Sequence, residues 1–533
     1  MGYLGTRHFI QVGPVLVALS VLLWVAAGIR LSHIARPFWL DEWSHSYVIQ
    51  SFTHSFSELR REIATYSQPW LEYAIRKTVL GQSGHHELDS RLLSLFWGLA
   101  AVAYTFLGVG RGLKRASVQG SAAWVTAFIA AVWVVSHPGL INYSVEARHY
   151  SFVVFASVFW FIGVAGNRQG VGQWLADFLI ANAHFFSWPF VFMDIVIREF
   201  GPGGIRKTRA ALHALARISA FALLLIFLNA PSLLSLISHP PGEVSAGGGF
   251  ASTLWNAITL EVGLWKFLRV PVVLAVVLAT GCQGAWRSGQ VEVRRALLRI
   301  SAVALIASPV LFVLLRSRSA YSFPERYYLA WSGVVPAIFM IAALGMIHLF
   351  RRKRLIGSAF VLISALSLVP TFAKKHLVFS LPERDFSVQY EFFKNALTPS
   401  LTGSGRLIFV GAPCYADHAL HFYWSALGGD PRSEPEAIHE SGEDCRAPKL
   451  GEGGSARLTL DQFFRTGPGD VVLHQVNAGC PDEAKPNWPG GAVRLHVDWH
   501  SGAHDGGCHW LIRNVRSASQ VQEFARSVGF PKL

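Results

Sequence analysis

Near-continuous apolar runs separated by short basic loops fill roughly the first 370 residues, and each run long enough to bridge a bilayer core predicts a transmembrane helix. The first covers about Phe9 to Ile29. Since other runs follow, it reads as a retained helix with a cytoplasmic N-terminus, not a cleaved signal. Further spans are expected near 92–110, 121–136, 150–165, 172–186, 187–200, 213–232, 268–284, 299–315, 327–349 and 355–373. That makes about eleven. Within 172–200, His184, Trp188 and Pro189 interrupt the apolar pattern, so the stretch reads as one long span or two short ones.

The loops choose between these readings. Arg111, Lys114 and Arg115 follow span two, Arg206, Lys207 and Arg209 span six, Arg287, Arg294 and Arg295 span eight, and Arg351, Arg352, Lys353 and Arg354 span ten. With two spans in 172–200 all four clusters share one side, which the positive-inside rule makes cytoplasmic. The segments 33–90, 137–149, 233–260 and 316–326 then face outward, with everything after about Phe372.

Within the first outer loop, Phe52, Phe56, Leu59 and Ile63 recur at helical spacing opposite Glu58, Arg60, Arg61 and Glu62, predicting a helix lying in the interface plane. A second helix is expected from Trp70, after the Gln68-Pro69 break. The tail, 374–533, changes character: Gly, Asp, His and Pro surround short apolar runs, RLIFVGA, DVVLHQV and HWLIRNV, that read as strands, with a helix around Asp417 to Trp424. The expected organisation is a polytopic α-helical membrane domain, 1–373, followed by a small extracytoplasmic α/β domain, 374–533.

Composition agrees: of 533 residues 52% are hydrophobic and 15% charged, too apolar for a soluble enzyme. The formal net charge of +14 gathers in the short loops and carries topology; it implies no nucleic acid. Four of the five cysteines, Cys414, Cys445, Cys480 and Cys508, lie in the tail and Cys282 lies in a span. An even number in an oxidising compartment suggests two disulfides with three pairings open, whereas a zinc site would lack any Cys-x-x-Cys spacing.

The candidate chemistry centres on Trp39 to Tyr47, WLDEWSHSY, which puts Asp41, Glu42 and His45 just past the outer end of the first span. Ionisable groups are rarely placed there without a task. This stretch, with SRLLSLFWGLAAVAYTFLGVGRGL as span two, NYSVEARHYSF leading into span four and SFPERYYLAWSGVVP leading into span ten, resembles the GT-C-fold glycosyltransferases that use polyprenyl-phosphate sugars. Protein O-mannosyltransferases and lipid A aminoarabinose transferases belong to that group. The resemblance covers about the first 370 residues and departs at Gln68-Pro69-Trp70, where the family often has His-Pro-Pro.

What the resemblance implies is an enzyme of a bacterial cytoplasmic membrane, taking a polyprenyl-phosphate sugar from the bilayer and passing the sugar to an envelope glycan, lipid or protein on the outer face. A carboxylate is needed as base for the attacking hydroxyl, and Asp41 is best placed, with Glu42 supporting it. The leaving phosphate needs cationic donors, for which Arg148 and Arg326 stand at the outer starts of spans four and ten. Glu146 and Arg148 match a family pairing before span four, with Glu146 orienting Arg148 or Asp41; His45, Gln68 and Tyr150 complete the set.

Each residue also has a plainer reading. Asp41 and Glu42 suit a solvated helix N-terminus, and Arg148 and Arg326 suit snorkelling beside Tyr150 and Tyr327. His184 reads as a satisfied core residue, and His85 and His86 as a polar turn. Trp39, Trp43, Trp70 and Tyr73 suit either sugar stacking or packing in an aromatic belt. Asp41, Glu42 and His45 offer ligands for a divalent cation, magnesium or manganese, yet arginines alone neutralise a lipid monophosphate, so metal use stays open. Two other functions fit many spans with outer-face charges: a polysaccharide polymerase or ligase using a lipid diphosphate, and a lipid-linked sugar transporter. The first would rest on a large central outer loop, and the second on internal repeats, which the sequence does not show.

Overall fold

The computed structural model describes residues 3–34, 42, 46, 55–65, 68–80, 87–116, 118, 121–200, 208–238, 299, 329–330, 332–333, 336–337, 339–341, 343–344, 387–403, 405–411, 423–424, 427, 436–439, 460–475, 492–497 and 507–528. They are mostly helical. The expected spans at 268–284 and 355–373, nearly all of 299–315, and the expected helix at 417–422 lie outside the described residues.

The chain packs as two compact units that interleave along the sequence. One comprises Met1–His33, Ile63–Ala74 and Leu92–Leu381, the other Ile34–Glu62, Ile75–Arg91 and Pro382–Leu533.

The helices are α1 (Tyr3–Ile34), α2 (Phe56–Thr65), α3 (Leu71–Leu80), α4 (Glu87–Arg115), α5 (Ser121–Ser136), α6 (Pro138–Tyr143), α7 (Tyr150–Ala165), α8 (Val171–Ala181), α9 (Trp188–Phe200) and α10 (Thr208–Ser238). Three contain stretches long and apolar enough to cross a membrane: Gly13–Ser32 in α1, Ser90–Arg115 in α4 and Ala211–Ser235 in α10. The 20 residues of the first rise about 30 Å at 1.5 Å each, the thickness of a bilayer core. Outward on α1 and α10 stand Val17, Trp24, Leu223 and Phe227, more than half exposed. In a membrane protein these side chains meet lipid.

The core of this first unit is built from large residues set against small ones. Trp133, Phe152, Trp160, Phe161 and Phe190 pack with Ala101, Ala127, Ala130, Ala156 and Ala181, all buried. Ser157, midway along α7, donates to Ala330 O at 2.7 Å and accepts from Gly333 N at 2.9 Å. A Cβ on Gly333 would come within 2.4 Å of the Ser157 carbonyl oxygen, so only glycine lets the 329–333 turn lie this close to α7.

The ambiguous stretch 172–200 folds as two helices, α8 and α9, with a turn at 182–184 and a 3-10 turn at Phe185–Ser187 between them. His184 caps the 3-10 turn, its Nδ1 accepting from Phe186 N at 3.2 Å, and Pro189 sits in the first turn of α9, where a missing N–H costs nothing. Trp160 bonds Asp177 while His149 stacks on His184, so α7 and α8 run antiparallel along their whole lengths.

In the second unit the hydroxyl of Ser55 accepts from Glu58 N and the Glu58 carboxylate accepts from Ser55 N, both at 3.2 Å. This reciprocal cap explains why α2 starts at Phe56. After α11 (Ser387–Leu401) come β1 (Leu407–Gly411), β2 (Glu436–His439), α12 (Leu460–Phe464), β3 (Gly469–Gln475), β4 (Ala492–Val497), β5 (Gly507–Val515) and α13 (Ala518–Ser527). The three apolar runs of the tail fall on β1, β3 and β5. The sheet has the order β2-β1-β3-β5-β4, the first three strands parallel and β5 antiparallel to both β3 and β4. Ile408, Val410, Val471, Leu473, Trp510 and Ile512 form one buried face against Val521 and Phe524 of α13 and Phe463 of α12.

Candidate functional site

Of the acidic motif, Asp41 and His45 lie outside the described residues, as do Arg326, Cys414, Cys445, Cys480, His85 and His86. Glu42 is helical and 1% exposed. Both of its oxygens accept from one guanidinium: Arg91 Nε reaches Oε1 at 2.8 Å and Nη2 reaches Oε2 at 2.6 Å. Arg91 also donates Nη1 to Ile34 O at 2.8 Å. The clamp therefore holds two points of the chain, the end of α1 and the residue after Asp41. Sequence reasoning paired Asp41 with Glu42 and missed Arg91, although an arginine at the start of an apolar span is a signal in itself.

Gln68 is half-buried in the break before α3, and the helix beginning one residue after Trp70 carries Tyr73 inward. Within the first unit the Tyr73 hydroxyl lies 3.0 Å from His149 Nδ1. His149 stacks on His184 at 6.3 Å between ring centroids and tilts against Tyr150 at 4.4 Å. Arg148 is 5% exposed; its Nη2 donates to the Tyr150 hydroxyl at 2.8 Å and its guanidinium lies 4.4 Å from that ring. Ser94 Oγ, on α4, donates to Arg148 O at 3.1 Å. Glu146 is half-buried, and its backbone carbonyl accepts from Arg148 N at 2.8 Å. The structure thus brings together Arg148, Tyr150, Tyr73, His149 and His184. Only the first two were in the set read from the sequence.

His137 precedes α6 and caps it, Nδ1 accepting from Leu140 N at 3.4 Å. Burial holds its imidazole down at about 4. A neutral ring is what this cap needs, because a protonated Nδ1 accepts nothing.

Away from this end, two carboxylates in apolar helices were also passed over in the sequence. Asp177 accepts from Trp160 Nε1 at 2.7 Å, Gln173 Nε2 at 3.0 Å and Arg198 Nη2 at 2.8 Å. Asp194 accepts from Arg299 Nε at 2.5 Å and Nη2 at 2.8 Å, and from Arg198 Nη1 at 3.5 Å. Two aspartates and two arginines balance in charge, and every carboxylate oxygen is used. That is a structural tie between α7, α8, α9 and the chain at Arg299, with no group left over for chemistry.

Among the described residues no three His, Cys, Asp or Glu side chains gather to hold a metal ion. Comparison with protein-family models, with curated proteins and with solved structures finds no match in any of the three.

Proposed function

We propose that this chain is an integral-membrane glycosyltransferase of the GT-C kind, which moves a sugar from a polyprenyl-phosphate donor to an envelope acceptor at the outer face of a bacterial cytoplasmic membrane. The observation that carries the reading is the clamp on Glu42. A carboxylate with both oxygens bonded by a buried guanidinium serves as an anchor, and Asp41 is the residue before it in the sequence. The two carboxylates then divide the labour, Glu42 holding the motif and Asp41 taking the proton. Arg148, held by the Tyr150 hydroxyl and ring, supplies the kind of oriented cation a leaving phosphate needs.

In the reaction the acceptor oxygen forms a bond to the anomeric carbon while the bond from that carbon to the phosphate oxygen breaks. The acceptor proton passes to Asp41 and the electron pair leaves with the polyprenyl phosphate. One displacement inverts the anomeric centre. About eleven spans with the acidic loop outside complete the proposal.

The test is to delete the gene and restore either wild type or Asp41→Asn at equal membrane levels, then compare envelope glycans and glycolipids by mass spectrometry. Loss of one sugar mass, restored by wild type alone, is expected. Restoration by both versions would remove Asp41 from the base role and turn attention to transport.

A further inference from the structure

Four cations gather near the ends of α4 and α7 in the first unit. Tyr104, Gly108, Arg111 and Arg115 fall on one stripe of α4, at helical spacing, with Lys114 beside them. Arg168 joins from the turn after α7: its backbone N donates to Gly163 O at 2.7 Å, and its Nη2 donates to the Tyr104 hydroxyl. Its guanidinium lies 4.3 Å from the Phe159 ring, and a Cβ on Gly163 would come within 2.9 Å of its Cζ, so the glycine makes room for it. Arg111 and Arg115 stand close enough for their charges to act on the same hydroxyl.

Every polar group here offers a proton or a positive charge. Arg168 Nη1 is buried with no hydrogen-bond partner, and the Tyr104 oxygen, by accepting from Nη2, leaves its own proton without an acceptor among the described residues. Among the described residues no carboxylate pairs with Arg111, Lys114, Arg115 or Arg168. Topology alone asks for cations near the end of a span. It does not ask for a guanidinium seated on an aromatic ring with one nitrogen unused. The complement of such a set is an anion with several acceptor oxygens.

An apolar path leads to the cluster. Trp97, Phe155 and Phe159 are half-buried along the α4–α7 contact, with Trp97 5.1 Å from Phe155, Phe155 6.0 Å from Phe159 and Phe159 4.7 Å from Tyr104 between ring centroids. Lys114 Nζ lies 5.0 Å from the centroid of the Trp124 ring on α5, the helix on which Val125 and Phe128 are exposed. We propose that this cluster binds an anionic phospholipid, its headgroup phosphate on Arg111, Arg115, Arg168 and the Tyr104 hydroxyl and an acyl chain along the aromatic stripe. A free phosphate would use the donors and leave the stripe idle, and a zwitterionic headgroup brings an ammonium that four cations repel. The proposal rests on the membrane reading of the apolar helices and not on the glycosyltransferase reading. In the expected topology the cluster faces the cytoplasmic leaflet, whose anionic lipids attract basic groups at the ends of spans.

The experiment uses the full chain in detergent, stripped of co-purifying lipid. Phosphatidylglycerol, phosphatidylcholine with the same acyl chains, and inorganic phosphate are titrated in turn, with bound lipid counted by native mass spectrometry and melting temperature read alongside. Wild type is expected to take up phosphatidylglycerol saturably with a rise in melting temperature, and to give neither response with phosphatidylcholine or inorganic phosphate at the same concentration. Removing two exposed charges in Arg111→Gln/Arg115→Gln is expected to weaken phosphatidylglycerol binding about tenfold while keeping the lipid-free melting temperature. Replacing an exposed arginine of α13, Arg526→Gln, keeps the wild-type response. Equal uptake of the two lipids, a response to inorganic phosphate that matches the lipid's, or undiminished binding in the double variant would overturn the proposal. Should the double variant fail to fold, wild type is compared at low and high salt: loss of the phosphatidylglycerol preference at high salt supports the proposal, and its survival overturns it.

Discussion

A carboxylate buried at 1% exposure with the Arg91 guanidinium across both oxygens makes Glu42 sensitive to that partner. Arg91→Ala would leave the charge of Glu42 buried without that fork, a change that costs about 3–5 kcal/mol. Less protein should reach the membrane, and what does should melt well below wild type in detergent. Arg91→Lys keeps the charge but loses the two-point geometry, so only part of the loss should return. An unchanged melting temperature in Arg91→Ala would mean that the pair holds nothing. His137 offers a test in pH. Its folded value of about 4 lies below the ordinary 6.5, so the unfolded chain binds the proton first as pH falls. Its contribution to stability is complete above about 6.5 and declines from there towards 4. Replacing it by Asn, which still caps α6 but does not titrate, should flatten that part of a melting-temperature profile between about pH 7 and 4.5.

Elements were legible where one local signal decided them. The apolar runs announced α1, α4 and α10, the Ser55 to Glu58 spacing fits the observed cap on α2, and the short apolar runs in the tail marked three of the five described strands. The hairpin of α8 and α9 was not decided locally, because His184 and Pro189 interrupt an apolar run in the same way whether it bends or breaks. What identifies two helices folded back on each other is the bond from Arg198 to Asp177 and the one from Trp188 Nε1 to Ala181 O, contacts that a single straight span would not make. Asp177 and Asp194 are a comparable case. A charge in an apolar helix signals function or pairing, and only the structure names Arg198 and Arg299 as the pairs. If that network is a tie, Asp194→Leu should destabilise strongly by stranding Arg299, and Asp194→Leu with Arg299→Leu should recover much of the loss, since an apolar pair replaces a buried ion pair at little cost. A double-mutant cycle on melting in detergent measures this; additive losses would show the two residues to be independent.

At the scale of the molecule, the acidic loop and the tail belong to one unit although roughly three hundred residues of the other unit separate them in sequence. Ile34–Glu62 and Ile75–Arg91 pack with Pro382–Leu533, so the clamp of Glu42 and Arg91 is built into the unit that contains the sheet. An outer domain that merely followed the spans would leave the first loop indifferent to its removal. A unit made from both would not. A chain ending at 381 should therefore lose hydrogen-exchange protection in α2 over 56–62 and become cleavable there by added protease, while the amides of α4 over 92–115 keep theirs. Under the glycosyltransferase reading, the same truncation should lose transfer even though Asp41 and Arg148 remain in the chain, because the anchor at Glu42 shares its unit with the domain removed. Equal protection of 56–62 in the full and shortened chains would assign the acidic loop to the membrane helices alone, and the tail would then act on the acceptor without shaping the base.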